Sequence, residues 1–107
     1  MKKVELAALE ELILLTIAVL GDEAYGLSIM QEIERRTGKA GSIGSLHSAL
    51  IRLEKKGFLD SEEGGATQER GGRRKRYFRL TQSGAEAIRE TKRLREGYYR
   101  LIPGFDS

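Results

Sequence analysis

Apolar side chains recur at helical steps through the first fifth of the chain. Val4, Leu6, Leu9, Leu12, Ile13, Ile17 and Leu20 predict a helix over about residues 4–20, stopped by Gly21. Asp22 suits the free amides of a new first turn and predicts the cap of a second helix. That helix carries Leu27, Ile29, Met30 and Ile33 and ends at Gly38. After the Gly/Ser connection 38–42, a third helix is predicted from near Ser42 to Gly57, with Leu46, Leu50 and Leu53 as its apolar stripe and Ala49 alongside. Its opposite side carries Ser45, Ser48, Arg52 and Lys55. No other helix presents small hydroxyls and cations together in this way.

Beyond Gly57 the period changes from helix to strand. Residues 58–62 read as a short strand, and residues 74–80 as a second one with Arg76, Phe78 and Leu80 on one face and Lys75, Tyr77 and Arg79 on the other. Gly64-Gly65 and Gly71-Gly72 bracket the polar loop between them, so the pair predicts a β-hairpin longer than its turn requires. Thr81 is placed to cap a fourth helix, in which Gly84, Ala87, Thr91, Leu94, Tyr98 and Leu101 alternate steps of three and four, a heptad-like seam. Pro103-Gly104 ends it.

The expected fold is therefore mainly α with one small hairpin: a winged helix-turn-helix over residues 1–82 and a C-terminal helix over 83–107. The first helix has more apolar residues than a core this small needs, and a lone domain cannot cover the fourth-helix seam. A homodimer buries both, and the expected interface is Leu6, Leu9, Ile13, Ala87, Thr91, Leu94, Tyr98 and Leu101.

Charge sharpens the picture. The net +3 is unevenly spread: residues 1–69 hold 8 basic and 12 acidic side chains, residues 70–107 hold 11 basic and 4 acidic. Arg70, Arg73, Arg74, Lys75, Arg76 and Arg79 place six cations in ten residues with no acid among them. Such a run suits a polyanion, and arginines on a glycine-rich tip suit phosphates or a minor groove. A solvated strand edge that discourages pairing is the plainer account of the same run.

A helix lined with short hydroxyls and cations suits the major groove, where base edges are distinguishable. The expected DNA contacts are Ser42, Ser45, His47, Ser48, Arg52 and Lys55 from the third helix and Arg73, Arg74, Lys75 and Arg76 from the wing. Ser45, Ser48 and Arg52 are the main candidates for base edges. Arg52 by itself fits a base contact and a surface cation paired with a nearby glutamate equally well.

Other chemistries find little support. The chain has 107 residues, 39% hydrophobic and 33% charged, and no cysteine, which excludes disulfides, thiolate metal sites and cysteine nucleophiles. His47 is the only histidine, and no nucleophile or orienting acid is suitably placed around it, so no enzyme and no cofactor are expected. Gly21 and Gly26 have phosphate-loop spacing, but Leu27 stands where lysine belongs. Leu12 to Leu20 is too short to span a bilayer, and a soluble cytoplasmic protein is expected. Met30 reads as core filler. Tyr98-Tyr99 fit interface packing or the lining of a ligand pocket.

The stretch from about Ile17 to Arg89 resembles the PadR family of transcriptional regulators, in its shorter form. The resemblance rests on Leu20-Gly21, Ala24-Tyr25-Gly26-Leu27, Gly44-Ser45-Leu46, the run Ala49-Leu50 to Phe58-Leu59 through Arg52-Leu53-Glu54, and Arg74 to Thr81 followed by Gly84. It implies a dimeric regulator, commonly a repressor, on palindromic double-stranded DNA. It also implies dimerisation through C-terminal helices with help from the first helix, and in some members release from DNA by small aromatic ligands at the dimer interface. His47 and Ser48 stand where the family usually has tyrosine and proline, and Ile43 where a proline is common, so base contacts do not transfer residue by residue. A winged-helix module that binds protein in place of DNA is the alternative.

Overall fold

The computed structural model describes residues 6–39, 41–64 and 75–105. Its elements are helices α1 (Ala8–Leu20), α2 (Gly26–Thr37) and α3 (Ile43–Lys55), strands β1 (Leu59–Glu63) and β2 (Arg76–Leu80), and helix α4 (Gln82–Leu101). This is the mainly helical fold with one antiparallel hairpin expected of a winged helix-turn-helix with an added C-terminal helix.

Helix starts follow side chains that accept backbone amides. Glu10 takes the Ala7 amide at 3.1 Å and opens α1. Ser42 takes the Ser45 amide at 3.2 Å and opens α3, and Thr81 takes the Gly84 amide at 3.0 Å and opens α4, as their sequence positions predict. The cap expected at Asp22 is corrected. Asp22 lies in a single 3-10 turn (Gly21–Glu23), and α2 begins only at Gly26, where the Ser28 hydroxyl accepts the Tyr25 amide at 2.9 Å. Positive φ at Gly21 turns the chain tightly there and delays the second helix by one turn. Gly38, at φ 77°, ends α2 as expected.

Ile13, Leu14, Ile17, Ala24, Ile29, Leu46, Ala49, Leu50, Leu53, Leu59 and Phe78 form one core between the three N-terminal helices and the hairpin. β1 pairs with β2 with Leu59 opposite Leu80, Ser61 opposite Phe78 and Glu63 opposite Arg76. The Phe78 amide also donates to the Ala24 carbonyl at 2.8 Å, so residues 24–25 run along the other edge of β2. The hairpin is thus held from both sides, to α3 through β1 and to the start of α2 through β2. No described helix is long and apolar enough to cross a membrane.

Candidate nucleic-acid interface

Because Leu46, Ala49, Leu50 and Leu53 bury one side of α3, the helix presents a defined opposite side. At about 100° per residue, Gly44, Ser48, Ile51 and Lys55 lie farthest from the core, and all are exposed. Ser45 and Arg52 occupy the flank toward α1, and His47 and Glu54 the flank toward the hairpin. Ser45, His47, Ser48 and Lys55 are thus exposed, as expected, while the exposed Ser42 spends its Oγ on the helix cap. Ile51 was not among the expected contacts. It is 45% exposed between Ser48 and Lys55, where an apolar side chain suits a thymine methyl. A search for polar side chains passes over it.

Arg52 resolves to the second of its two readings. Its Nε donates to Glu10 Oε2 at 3.1 Å, and Lys56 Nζ donates to Glu10 Oε1 at 3.0 Å. The glutamate side chain is only 5% exposed, whereas those of the two cations are 51% and 39%. Arg52 is therefore tied to α1 and is not a free base reader. The signal for this was in the sequence: Glu10 precedes Ile13, Leu14 and Ile17 by three, four and seven residues. It occupies the core stripe of α1, where a carboxylate has to find partners.

Burial opposes ionisation of Glu10, but the Ala7 amide, Lys56 and Arg52 together outweigh it and hold the carboxyl below its ordinary value. A depressed carboxyl contributes stability that is complete above its unfolded pKa of about 4.3 and is lost as pH falls through the lower folded value. Glu10→Gln should therefore melt below the unsubstituted protein by an amount that is constant above about pH 5.5 and shrinks below about pH 4. Thermal melts by circular dichroism across this range test it. A gap that stays level down to about pH 3 contradicts it.

Toward the loop end of the hairpin, Arg76 Nη1 donates to Ser61 Oγ at 2.9 Å, and Ser61 Oγ donates to Glu54 Oε2 at 2.7 Å. This chain places the Arg76 face of the hairpin directly beside the flank of α3 that bears Glu54. Lys75 belongs to the other face, with its ammonium 4.1 Å from the centroid of the Tyr25 ring. Tyr25 in turn meets Tyr77 edge to face at 5.4 Å. The expected wing cluster is thus divided: Arg76 adjoins α3, Lys75 leans toward α2, and Arg73 and Arg74 lie outside the described residues. Among the described residues no three His, Cys, Asp or Glu side chains gather as a metal site.

The expected dimer surface also needs correction. Ile13 and Ala87 are buried within their own chain, so neither is available to a second copy. Thr91 is half-buried, with its hydroxyl donating to the Ala87 carbonyl, and Leu6 packs on the core. Leu9 is exposed, and on α1 it is joined by Leu15 and Val19, which the apolar periodicity did not single out. Leu94, Tyr98 and Leu101 stay open, at 62%, 65% and 79%. The reason is that the first half of α4 packs against the domain, so only its far half keeps an unpartnered stripe. After Leu101 the chain reverses at Pro103-Gly104, and Phe105 stacks on Tyr99 at 5.3 Å.

Residues 14–90 match the model of the transcriptional regulator PadR-like family. A transcriptional regulator of Mycobacterium tuberculosis, Rv3488, is 35% identical over 86 residues, 80% of this chain and 76% of its own length. Among solved structures, a transcriptional regulator from Clostridium thermocellum superimposes with a TM-score of 0.70 at 27% identity, covering 92% of each chain. A PadR family transcriptional regulator from Eggerthella lenta does so with a TM-score of 0.65 at 26% identity, covering 87% of this chain and 82% of its own.

Proposed function

Because this chain belongs to the PadR-like family of transcriptional regulators, we propose that it is a homodimeric repressor that occupies a palindromic operator. The reading is carried by one observation: the flank of α3 that bears Glu54, next to the exposed side, adjoins the basic strand β2 through Glu54, Ser61 and Arg76. A single duplex then meets a groove-reading helix and a cationic strand together. Ser48, Ile51 and Lys55 read or flank base edges, with Ser45 and His47 beside them. Arg73, Arg74 and Arg76 contact phosphates, and Lys75 does so from the far side of the hairpin. Two copies join through Leu94, Tyr98 and Leu101 with Leu9, Leu15 and Val19. A small aromatic effector would act at that interface, near Tyr98.

Selection of duplexes from a random pool tests the reading. A palindromic consensus is expected, blurred at central half-site positions by Ser48→Ala with Ile51→Ala. Substituting alanine for Arg73 and Arg74 in each protomer should weaken binding to all duplexes alike. It should also flatten the salt dependence by about 0.9 in log–log slope for each phosphate no longer neutralised. Enrichment of no sequence would transfer weight to a winged-helix module that binds protein.

A further inference from the structure

Two adjacent carboxylates on α1 hold the two helices on which the operator reading depends. Glu10 binds Arg52 in the last turn of α3 and Lys56 at the C-cap that follows it. Glu11 takes a bidentate pair from Arg95 of α4, from Nη2 at 2.7 Å and from Nε at 3.3 Å. Successive residues on a helix point about 100° apart, so neighbours in sequence reach different partners. Both carboxylates are well shielded, at 5% and 16% side-chain exposure, so solvent screens these pairs less than ordinary surface pairs.

The geometry of α4 gives Glu11 its weight. The helix is anchored at its start, where Gly84 lies against the Phe58 carbonyl. Arg95 comes eleven residues later, about 16 Å along the axis. Ala87 and Ile88 continue that packing along the first half of the helix, and Glu11 adds an ion-pair anchor beyond it, in the far half. Arg52 on α3 and Lys56 at its C-cap, meeting one carboxylate, fix the rotation of the helix about its own axis. We propose that Glu10 and Glu11 are positioning residues that lock α3 and the far half of α4 to one turn of α1. The spacing between half-sites that the dimer accepts is then set there.

The proposal rests on the dimeric operator reading and deepens it. One added base pair moves a half-site by about 3.4 Å and turns it by about 35°, so a rigid dimer should discriminate between spacings and a loosened one should not. The test uses the two half-sites recovered from the pool, joined by spacers that differ by single base pairs. The proteins are the full chain, Glu10→Gln, Glu11→Gln, their double variant, and the exchange Glu11→Arg with Arg95→Glu.

The full chain should favour one spacing by about tenfold, and each single variant should retain dimerisation and cut that preference below about threefold. The two locks act in series, so the double variant should be no less selective than either single one, whereas independent local supports would add. The charge exchange should restore the preference. Variants that keep the full preference, or that lose affinity equally at every spacing, overturn the proposal and leave the operator reading standing. If the full chain binds none of the duplexes, the operator reading itself falls and takes the proposal with it.

Discussion

Leu94→Asp combined with Tyr98→Asp should convert the dimer to a monomer in sedimentation and weaken operator binding by about a hundredfold or more. The two side chains lie four residues apart on α4, with Leu101 three further on, so they form one stripe. All three are largely exposed in the single chain, and their substitution removes nothing from its core. In the proposed dimer the same stripe would be buried, and two carboxylates per protomer would have to be desolvated without partners. Breaking the dimer turns a bivalent grip on two half-sites into two separate weak events, which is where the large factor arises. The domain itself should melt cooperatively, with its helical circular dichroism retained. A double variant that stays dimeric would show that this stripe is not the interface.

Gly84→Ala should lower the melting temperature by about 10 °C or more, the consequence of roughly 2 kcal/mol of overpacking. A methyl group at this position would overlap the Phe58 carbonyl oxygen and lie 2.9 Å from Leu80 Cδ1. The carbonyl cannot simply give way, because it accepts the Thr81 amide at 3.1 Å. Relief requires α4 to move off the hairpin, which disturbs the anchor at the start of the helix. Gly26→Ala is the matched control: nothing lies within 4 Å of a Cβ there, and the change should be neutral or stabilising by about 0.5 kcal/mol. Equal melting temperatures for the two variants would remove the close packing of α4 on the hairpin as a source of stability.

Elements written in local chemistry are legible in the sequence. Periodicity marked each helix, Ser42 and Thr81 marked two of their starts, and the alternation within residues 74–80 marked β2, which spans Arg76–Leu80. Asp22 misled because a good capping side chain does not itself start a helix: the positive φ of Gly21 and the Ser28 hydroxyl moved the start to Gly26. The resemblance carried by short motifs agreed with the family match, since those motifs are the turns, caps and core positions of the fold. Ile13 and Ala87 were misplaced because an apolar seam does not say whether its own chain or a second copy covers it.

What the linear chain determined here is the inventory of elements, the basic strand and the exposed side of α3, because each follows from interactions within a few residues. The tertiary structure alone decided which charges are spent internally and which apolar faces remain open. Arg52 meets Glu10 across 42 positions and Arg95 meets Glu11 across 84, and such pairs exist only once packing has brought their helices together.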